Sequence, residues 1–149
     1  MNTERPETPL LAVDLIIRHA ANPGRVLLIE RRNPPSGWAL PGGFVDRGEP
    51  VERAARREAR EETNLDVRLE TLLGVYSDPE RDPRGHTVSL VYVARGEGDA
   101  RAQDDALALR WFDPEDRTQS LAFDHRRILD DYLRFCVTGE VAPIRHSSR

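Results

Sequence analysis

Three glutamates, Glu58, Glu61 and Glu62, are the side chains of this sequence whose types and spacing most clearly suit chemistry. Their spacing of i, i+3 and i+4 places all three carboxylates on one face if the segment is helical. Mg²⁺ takes oxygen ligands, commonly one or two carboxylates completed by water and by the phosphate oxygens of a substrate. The spacing therefore fits a divalent-metal site. It also fits a solvated helix with internal ion pairs, because Arg57 lies four residues before Glu61.

A pair of glycines ahead of these carboxylates favours the metal site. Gly42 and Gly43 follow Pro41 and a short apolar run. Glycine lets the backbone turn sharply and approach another group closely. A backbone carbonyl at this turn could face the same cation as the glutamates, whereas a charged helix face alone requires no such turn.

The glutamates lie in the segment that most clearly predicts a helix, from about Pro50 to Thr63. Proline suits the first helical position, because its missing N–H would have no partner there. The interior consists mainly of Ala, Arg and Glu, which favour helix. Asn64 is expected to end the helix, since Asn tolerates the left-handed backbone conformation.

Short runs rich in Leu, Val and Ile predict strands on both sides of this helix. The predicted strands are 10–17, 25–30, 38–40, 67–76, 87–95 and 107–112, and an amphipathic helix is predicted at 123–137. Because only one helix can link strands by a crossover, we predict one α/β domain, residues 1–149, with a mixed sheet flanked by helices. Residues 1–8 and 142–149 are polar and contain proline, and we expect them to be tails.

The composition limits the classes of chemistry. The chain has 149 residues, 38% hydrophobic and 32% charged, which is typical of a soluble globular domain. All 22 basic residues are arginine, which excludes a Schiff-base lysine and the phosphate-binding lysine of a P-loop. Cys136 is the only cysteine, which excludes an internal disulfide and a cysteine-based zinc site.

Charge and hydropathy indicate the setting in which the protein acts. The formal net charge is −4, so general attraction to nucleic acid is not expected. No apolar run approaches the roughly 20 residues that a membrane span needs. The first residues show no basic region followed by an apolar stretch, as a signal peptide would. We therefore expect a cytoplasmic protein without nucleic-acid or membrane partners.

The glycine turn and the helix together resemble the Nudix box. That pattern is a glycine, five residues, a glutamate, seven residues, and then Arg-Glu-apolar-x-Glu-Glu-x-Gly-apolar. The matching residues are Gly43, Glu49, Arg57, Glu58, Glu61, Glu62 and Leu65, with Ala59 at an apolar position. Asn64 replaces the last glycine, and we expect the turn geometry to survive. The resemblance implies a Nudix-type α/β/α sandwich with a mixed sheet and a loop-helix-loop catalytic motif.

The resemblance also implies a metal site and a hydrolytic reaction. Glu58 and Glu62 would be the principal ligands of Mg²⁺, with Mn²⁺ as an alternative, and Glu61 would contribute directly or through water. The backbone carbonyl of Gly42 would complete the protein's share of the ligands. In this chemistry a water molecule attacks one phosphorus of a diphosphate, and the metal neutralises the phosphate oxygens.

The same resemblance assigns the supporting roles. Arg57 and Glu49 would orient the carboxylates. The general base is often a carboxylate outside the box, on a loop. The sequence leaves it open among Glu61 within the box and four acids of the polar loop 96–105. Those four acids are Glu97, Asp99, Asp104 and Asp105.

A second segment, residues 76–89, resembles that of Nudix ADP-ribose pyrophosphatases, in which a marker proline follows the box by about fifteen residues. Pro79 stands 15 positions past Asn64. Three nearby side chains, Arg81, Arg84 and His86, could bind substrate, because arginine grips phosphate through two parallel hydrogen bonds. A proline turn with surface arginines is the alternative. His125, in a segment similar to the same subgroup, is interpreted as a cap of the last helix.

The favoured reaction is the hydrolysis of ADP-ribose to AMP and ribose 5-phosphate by a magnesium-dependent hydrolase. The alternatives are a nucleoside triphosphate pyrophosphohydrolase and a non-catalytic, nucleotide-sensing Nudix domain. The expected partner is a small nucleotide, and the resemblance raises the expectation of a homodimer.

Overall fold

The computed structural model describes residues 4–146. Within that range the chain forms seven strands and two helices. Their bounds are β1 Leu10–His19, β2 Val26–Arg31, β3 Trp38–Ala39, β4 Gly42–Phe44, α1 Val51–Thr63, β5 Asp66–Tyr76, β6 Thr87–Glu97, β7 Ala106–Phe112 and α2 His125–Thr138. None of the described helices is long and apolar enough to cross a membrane.

The strands form one mixed sheet in the order β3-β2-β1-β6-β5, with β4 paired to β1 and β7 paired to β2. β1 and β6 run parallel and are paired from Leu10↔Thr87 to His19↔Gly96. The other pairs are antiparallel. A parallel pair requires a long crossover, and the chain between β1 and β6 contains α1. The mixed sheet agrees with the prediction.

The two helices cover opposite faces of the sheet. Side chains alternate between the faces of a strand, so Leu15 and Ile16 of β1 point to different layers. Leu15 packs with Ala55 and Ala59 of α1. Ile16 packs with Tyr132 of α2 in a separate cluster. This is the α/β/α sandwich that the sequence predicted.

The main difference from the predicted elements is β4, which we expected to be a glycine turn. Gly42 and Gly43 pair with Asp14 and Val13 of β1. A Cβ at Gly42 would lie 2.2 Å from the Val13 carbonyl oxygen. Two adjacent glycines show no strand pattern, because the lack of side chains matters only once a neighbouring strand is close.

Two smaller differences concern element ends. Pro50 precedes α1 in an extended conformation instead of occupying its first helical position. α2 begins at His125, because Phe123 has a φ of 56° and therefore lies outside the helix.

The described part of the predicted C-terminal tail, residues 142–146, has no regular structure but contacts the domain. The Ala142 N–H donates to the Leu73 carbonyl at 2.8 Å. The Arg145 guanidinium binds the buried Asp131 carboxylate at 2.7 Å. The backbone is irregular, yet these contacts attach it to the domain. Of the N-terminal tail, residues 4–8 have no regular structure, and residues 1–3 and 147–149 lie outside the described residues.

The end of α1 is fixed by Asn64, which adopts the predicted left-handed conformation with a φ of 65°. Its backbone N–H donates to the Arg60 carbonyl. Its side-chain amide also donates to the Asp99 carbonyl at 3.0 Å. The loop between β6 and β7 is thereby tied to the end of α1, and a backbone bond from Gln103 to the Glu62 carbonyl supports the same attachment.

Substitutions of Asn64 test separately the contributions of its left-handed backbone conformation and of its side-chain hydrogen bond. Asn64→Ala should lower the free energy of unfolding by about 1–3 kcal/mol, because alanine loses the amide bond and remains unfavourable in the left-handed region. Asn64→Gly loses the same bond but relieves the backbone, so we expect a change below about 1 kcal/mol. Its activity should remain nearly unchanged. Urea unfolding and steady-state rates measure both effects; a large loss of activity in Asn64→Gly would show that the side chain acts in the site.

Candidate active site

A cleft of about 240 Å³ opens beside β4 and the middle of α1. It is lined by polar groups from several elements: Glu58 and Glu62 of α1, Asp14 of β1, Arg31 of β2, Arg81, Asp82 and Arg84 of the loop before β6, and His125 of α2. Two aromatic side chains, Phe44 and Phe123, also line it. Acidic and basic groups thus face the same space.

Glu58 and Glu62, the two predicted principal metal ligands, both line this cleft. Burial is the main cause that raises the pKa of Glu58. Burial, followed by repulsion from Glu58, raises the pKa of Glu62 to about 8, although a backbone hydrogen bond from Gly42 opposes the shift. Oε2 of Glu62 is buried and has no hydrogen-bond partner among the described residues. Such an atom is costly to bury unless something binds it.

These features fit a divalent cation. A cation would satisfy the free oxygen of Glu62 and cancel the repulsion between the two carboxylates. In the part of the chain that the structure describes, no three acidic, histidine or cysteine side chains already form a metal-binding group. Two carboxylates are nevertheless sufficient for Mg²⁺, which commonly retains several waters and takes phosphate oxygens from its substrate.

The close approach of β4 to α1 depends on Gly43. A Cβ at this residue would lie 2.4 Å from the Glu58 carboxylate carbon and 2.5 Å from each of its oxygens. Any side chain here would therefore displace the carboxylate. The sequence indicated that glycine was needed, and the structure adds that the group it accommodates is Glu58.

Arg57 joins the carboxylates of the motif. Its guanidinium donates two hydrogen bonds to Glu49, at 2.7 and 2.9 Å, and its Nη1 donates to Glu58 at 2.9 Å and to Glu61 at 3.1 Å. A further bond to the Phe44 carbonyl, at 3.0 Å, ties it to β4. Its hydrogen bonds are the main cause that lowers the pKa of Glu49 to about 2. These contacts suit the orienting role of Arg57 and Glu49, which remains a prediction.

Glu61 differs from its two neighbours. Its carboxylate is 45% exposed and it does not line the cleft. Its described contact is the ion pair with Arg57. A role for Glu61 as ligand or as general base remains a prediction, and its position favours action through Arg57 or through water.

Of the three residues predicted to bind substrate, Arg81 and Arg84 line the cleft and His86 does not. Arg81 is buried and its guanidinium is held by Asp124 at 2.7 and 3.0 Å. Arg84 is 45% exposed and is held by Asp82. The ring of His86 lies 2.9 Å from the Ser77 carbonyl, outside the cleft. The expected contact of His86 with substrate therefore finds no support in its position.

Among the four loop acids proposed as general base, only Asp105 lines the cleft. Its carbonyl accepts a hydrogen bond from the Arg32 backbone at 3.0 Å, which fixes the chain at this point. Asp99 instead pairs with Arg101 on the surface. Glu97 lines a separate pocket beside Trp111. Of these four acids, Asp105 is the one whose position suits a general base, and that role remains a prediction.

Arg31 is a cleft residue that the sequence analysis missed. Its Nε donates to the Pro35 carbonyl at 2.8 Å. Its guanidinium lies 4.9 Å from the centroid of the Phe123 ring, and that of Arg84 lies 5.3 Å from the same centroid. Two guanidinium groups on one ring concentrate positive charge on this side of the cleft, which suits a diphosphate.

Asp14 is the second residue that was missed. It lies in the middle of β1 and accepts a hydrogen bond from the Ser89 hydroxyl at 2.5 Å. Burial raises the pKa of Asp14 to about 7, and the bond from Ser89 and the charge of Arg81 oppose this shift. The signal in the sequence was a lone acid inside an apolar strand, Leu10 to Ile17, where a carboxylate needs a specific reason to be present.

His125 corrects the interpretation of a helix cap. It is 2% exposed and its Nδ1 accepts a hydrogen bond from the Leu40 N–H at 3.0 Å, on a different element. No side chain caps α2 at the preceding residue, Asp124. Burial, with smaller contributions from Arg81 and Arg31, lowers the pKa of His125 to about 3.

This depressed pKa predicts a sensitivity to acid. The unfolded chain takes up a proton at His125 near the ordinary pKa of 6.5, whereas the folded protein does so only near 3, so stability is lost as the pH falls through this range. His125→Asn removes the group. We expect the melting temperature of the wild type to fall more than that of the variant between pH 7.5 and 4.5, without metal. Parallel losses would contradict the assignment.

Comparison with known proteins places this site in a family. The family model described as NUDIX domain matches residues 8–132. The ADP-ribose pyrophosphatase of Methanocaldococcus jannaschii is 47% identical over 130 residues, 85% of this chain and 75% of that protein. The chain therefore belongs to the NUDIX family, and it is a Nudix hydrolase.

Two solved structures extend the comparison. The NUDIX domain of Shewanella oneidensis NrtR, complexed with ADP ribose, has a TM-score of 0.77 at 27% identity, over 91% of this chain and 95% of that one. A bifunctional NMN adenylyltransferase/ADP ribose pyrophosphatase from Francisella tularensis, complexed with AMP and a Mn ion, has a TM-score of 0.73 at 25% identity. The match spans 91% of this chain and 43% of that one.

Proposed function

We propose that this protein hydrolyses ADP-ribose to AMP and ribose 5-phosphate with Mg²⁺. The observation that carries the hydrolytic site is the unpartnered, buried oxygen of Glu62 beside Glu58, in a cleft that also contains arginines. The choice of ADP-ribose rests on the 47% identity to the pyrophosphatase of Methanocaldococcus jannaschii. The ADP-ribose complex of the Shewanella oneidensis domain supports the same choice.

Glu58 and Glu62 would hold the metal, with the backbone carbonyl of Gly42 as a further ligand. When bound, the metal would neutralise phosphate oxygens and lower the pKa of a coordinated water. Arg57 keeps the Glu58 carboxylate oriented through its bond to Oε1. Arg31 and Arg84, which line the same cleft, would provide charge-assisted donors for the diphosphate.

Asp105 is proposed to accept the proton of the attacking water, because it is the loop acid that reaches the cleft. Asp105→Asn should lower kcat for ADP-ribose by about 10²-fold or more and leave KM nearly unchanged. The neighbouring Asp104→Asn is the matched control, since Asp104 does not line the cleft. Equal rates for the two variants would exclude Asp105 as the base.

The proposed function is tested with a substrate panel of ADP-ribose, NADH, Ap4A and the common nucleoside triphosphates, each with and without Mg²⁺. Magnesium-dependent cleavage of ADP-ribose in preference to the others, with AMP as a product, is the expected result. Preferred cleavage of a triphosphate would retain the site and reject the substrate. Binding of ADP-ribose without turnover of any nucleotide would indicate a sensor.

A further inference from the structure

His125 lines the cleft, and its tautomer is fixed so that Nε2 carries the proton. Its Nδ1 accepts the bond from the Leu40 N–H, so in the neutral ring the proton must be on Nε2. The ring cannot exchange these roles without leaving the Leu40 N–H unpaired in the core. Since His125 lies in the lining of the cleft, Nε2–H is a donor that the fold prepares in advance.

This donor has no partner in the described part of the protein. The Asp14 carboxylate oxygen Oδ2 lies 3.8 Å from Nε2, which is too long for a hydrogen bond. The histidine side chain is 98% buried, because only 2% of it is exposed. The ring is almost fully buried and lines the cleft, so its Nε2–H is available to a ligand atom that accepts from it.

Asp14 supplies the complementary group. Its side chain is 13% exposed and also lines the cleft. A separation of 3.8 Å between the donor nitrogen and the acceptor oxygen allows one O–H group to accept from the first and donate to the second. A phosphate oxygen can only accept, so it could take the bond from His125 but has no hydrogen to donate to the Asp14 carboxylate, whereas a hydroxyl does both.

The size of the cleft indicates which end of the substrate carries this hydroxyl. At about 240 Å³ it is smaller than the roughly 300–1,000 Å³ typical of pockets that enclose a whole ligand. The buried pair His125 and Asp14 would therefore receive the smaller end of ADP-ribose. Phe44, 41% exposed, offers a ring in the lining that is more accessible to the larger nucleoside end.

We propose that His125 and Asp14 form a subsite for a hydroxyl of the terminal sugar, and that they select sugar-bearing diphosphates over compounds that end in phosphate or in an alkyl group. Nε2–H of His125 donates to the hydroxyl, and the hydroxyl donates to Asp14. This proposal rests on the proposed hydrolysis of ADP-ribose, and under it His125 and Asp14 recognise the terminal ribose of that substrate.

Two substitutions of His125 separate the role of the Nε2–H donor in the cleft from that of the hydrogen bond between Nδ1 and the Leu40 N–H. The Oδ1 of an asparagine takes the place of Nδ1, so His125→Asn retains the acceptor for Leu40 and loses the donor to the cleft. The amide nitrogen of a glutamine takes the place of Nε2, so His125→Gln retains the donor and loses the acceptor. Far-ultraviolet circular dichroism and melting temperatures establish that both variants are folded.

The measurement compares kcat/KM for ADP-ribose with that for the β-methyl ester of ADP, which has the same diphosphate and no second sugar. His125→Asn should lower the value for ADP-ribose by about 10- to 100-fold and that for the methyl ester by less than about twofold. His125→Gln should lose less than about threefold on ADP-ribose. Asp14→Ala, which removes the acceptor, should repeat the selective loss and replaces His125→Asn if the latter does not fold.

Three results would overturn the subsite. Equal losses on both substrates would show that the pair binds the attacking water or the adenosine ribose instead of the terminal sugar. A greater loss in His125→Gln than in His125→Asn would show that the bond to Leu40 is what matters. A wild-type protein that neither cleaves nor binds ADP-ribose, as measured by calorimetric titration, would reject the subsite together with the proposed function.

If the wild type binds or cleaves ADP-ribose, the proposed function and the sugar subsite can be rejected independently. If the wild type binds ADP-ribose without cleaving it, the proposed function is rejected, and the affinities of the same variants for ADP-ribose and for the methyl ester still test the subsite. If the wild type cleaves ADP-ribose and the variants show no selective loss, the function stands and the subsite is rejected.

Discussion

Replacing Glu62 by Gln is expected to lower the turnover of ADP-ribose at least about a hundredfold while the protein stays folded. Glutamine has nearly the same shape but no negative charge, so it cannot hold a divalent cation as a carboxylate does. The loss of a metal's electrostatic stabilisation amounts to several kcal/mol of barrier, and each 1.36 kcal/mol corresponds to a tenfold change in rate. Steady-state kinetics over a range of Mg²⁺ concentrations measure the effect.

The same variant has a signature in stability that does not depend on turnover. In the metal-free protein the pKa of Glu62 is raised from 4.5 to about 8, so the folded state resists ionisation that the unfolded state accepts. The contribution of Glu62 to the stability of the metal-free wild type should therefore fall as the pH rises from about 4.5 to 8. Glu62→Gln has no carboxylate to ionise at this position, so it does not lose stability in this way. In EDTA, the melting temperature of the variant relative to that of the wild type should therefore be higher at pH 8 than at pH 5.

Magnesium should reverse the effect of pH on the difference in melting temperature between Glu62→Gln and the wild type. A ligand that binds only the folded state raises its stability, so Mg²⁺ should stabilise the wild type at pH 8 and have little effect on Glu62→Gln. Glu70→Gln, a substitution on β5 outside the cleft, controls for the loss of one negative charge. Full activity in Glu62→Gln, or an unchanged response to Mg²⁺, would remove Glu62 from the set of metal ligands.

Gly43→Ala is expected to have the second-largest effect. The new Cβ would lie 2.4 Å from the Glu58 carboxylate carbon, closer than such atoms approach one another. The clashing group is the end of a flexible side chain, so Glu58 should swing aside and the fold should survive. A misplacement of about 1 Å in a catalytic constellation can lower the rate about 10²-fold, and we expect a loss of that order.

The matched control is Gly24→Ala, in the turn between β1 and β2. A Cβ there would lie 3.6 Å from the nearest heavy atom, Oδ1 of Asn22, which is an ordinary contact. We expect unchanged activity in Gly24→Ala, and a lower activity with a nearly unchanged melting temperature in Gly43→Ala. Unfolding of Gly43→Ala, or retention of full activity, would contradict the geometry between β4 and Glu58.

Much of the fold was predictable because its signals are local. The helix at Val51–Thr63 follows from helix-forming residues and an Asn at its end, and the longer strands follow from apolar runs. β4 was not predictable, because two adjacent glycines carry no strand pattern. What makes them suitable is that a residue without a side chain can pack closely against β1. The attachment of residues 142–146 was also hidden, because a polar segment shows no pattern until its partners on β5 and α2 are known.

The sequence by itself determined the family, the helix that carries Glu58 and Glu62, and the divalent-metal chemistry that these carboxylates suggest. Spacing within one helix fixes which side chains share a face, so no tertiary information is needed for this part of the site. Only the tertiary structure decided that Asp14 and His125, 111 positions apart in the sequence, face one cleft. The pairing of strands and the packing of α2 bring them together, and the role of a buried polar group depends on partners that its neighbours in the chain do not reveal.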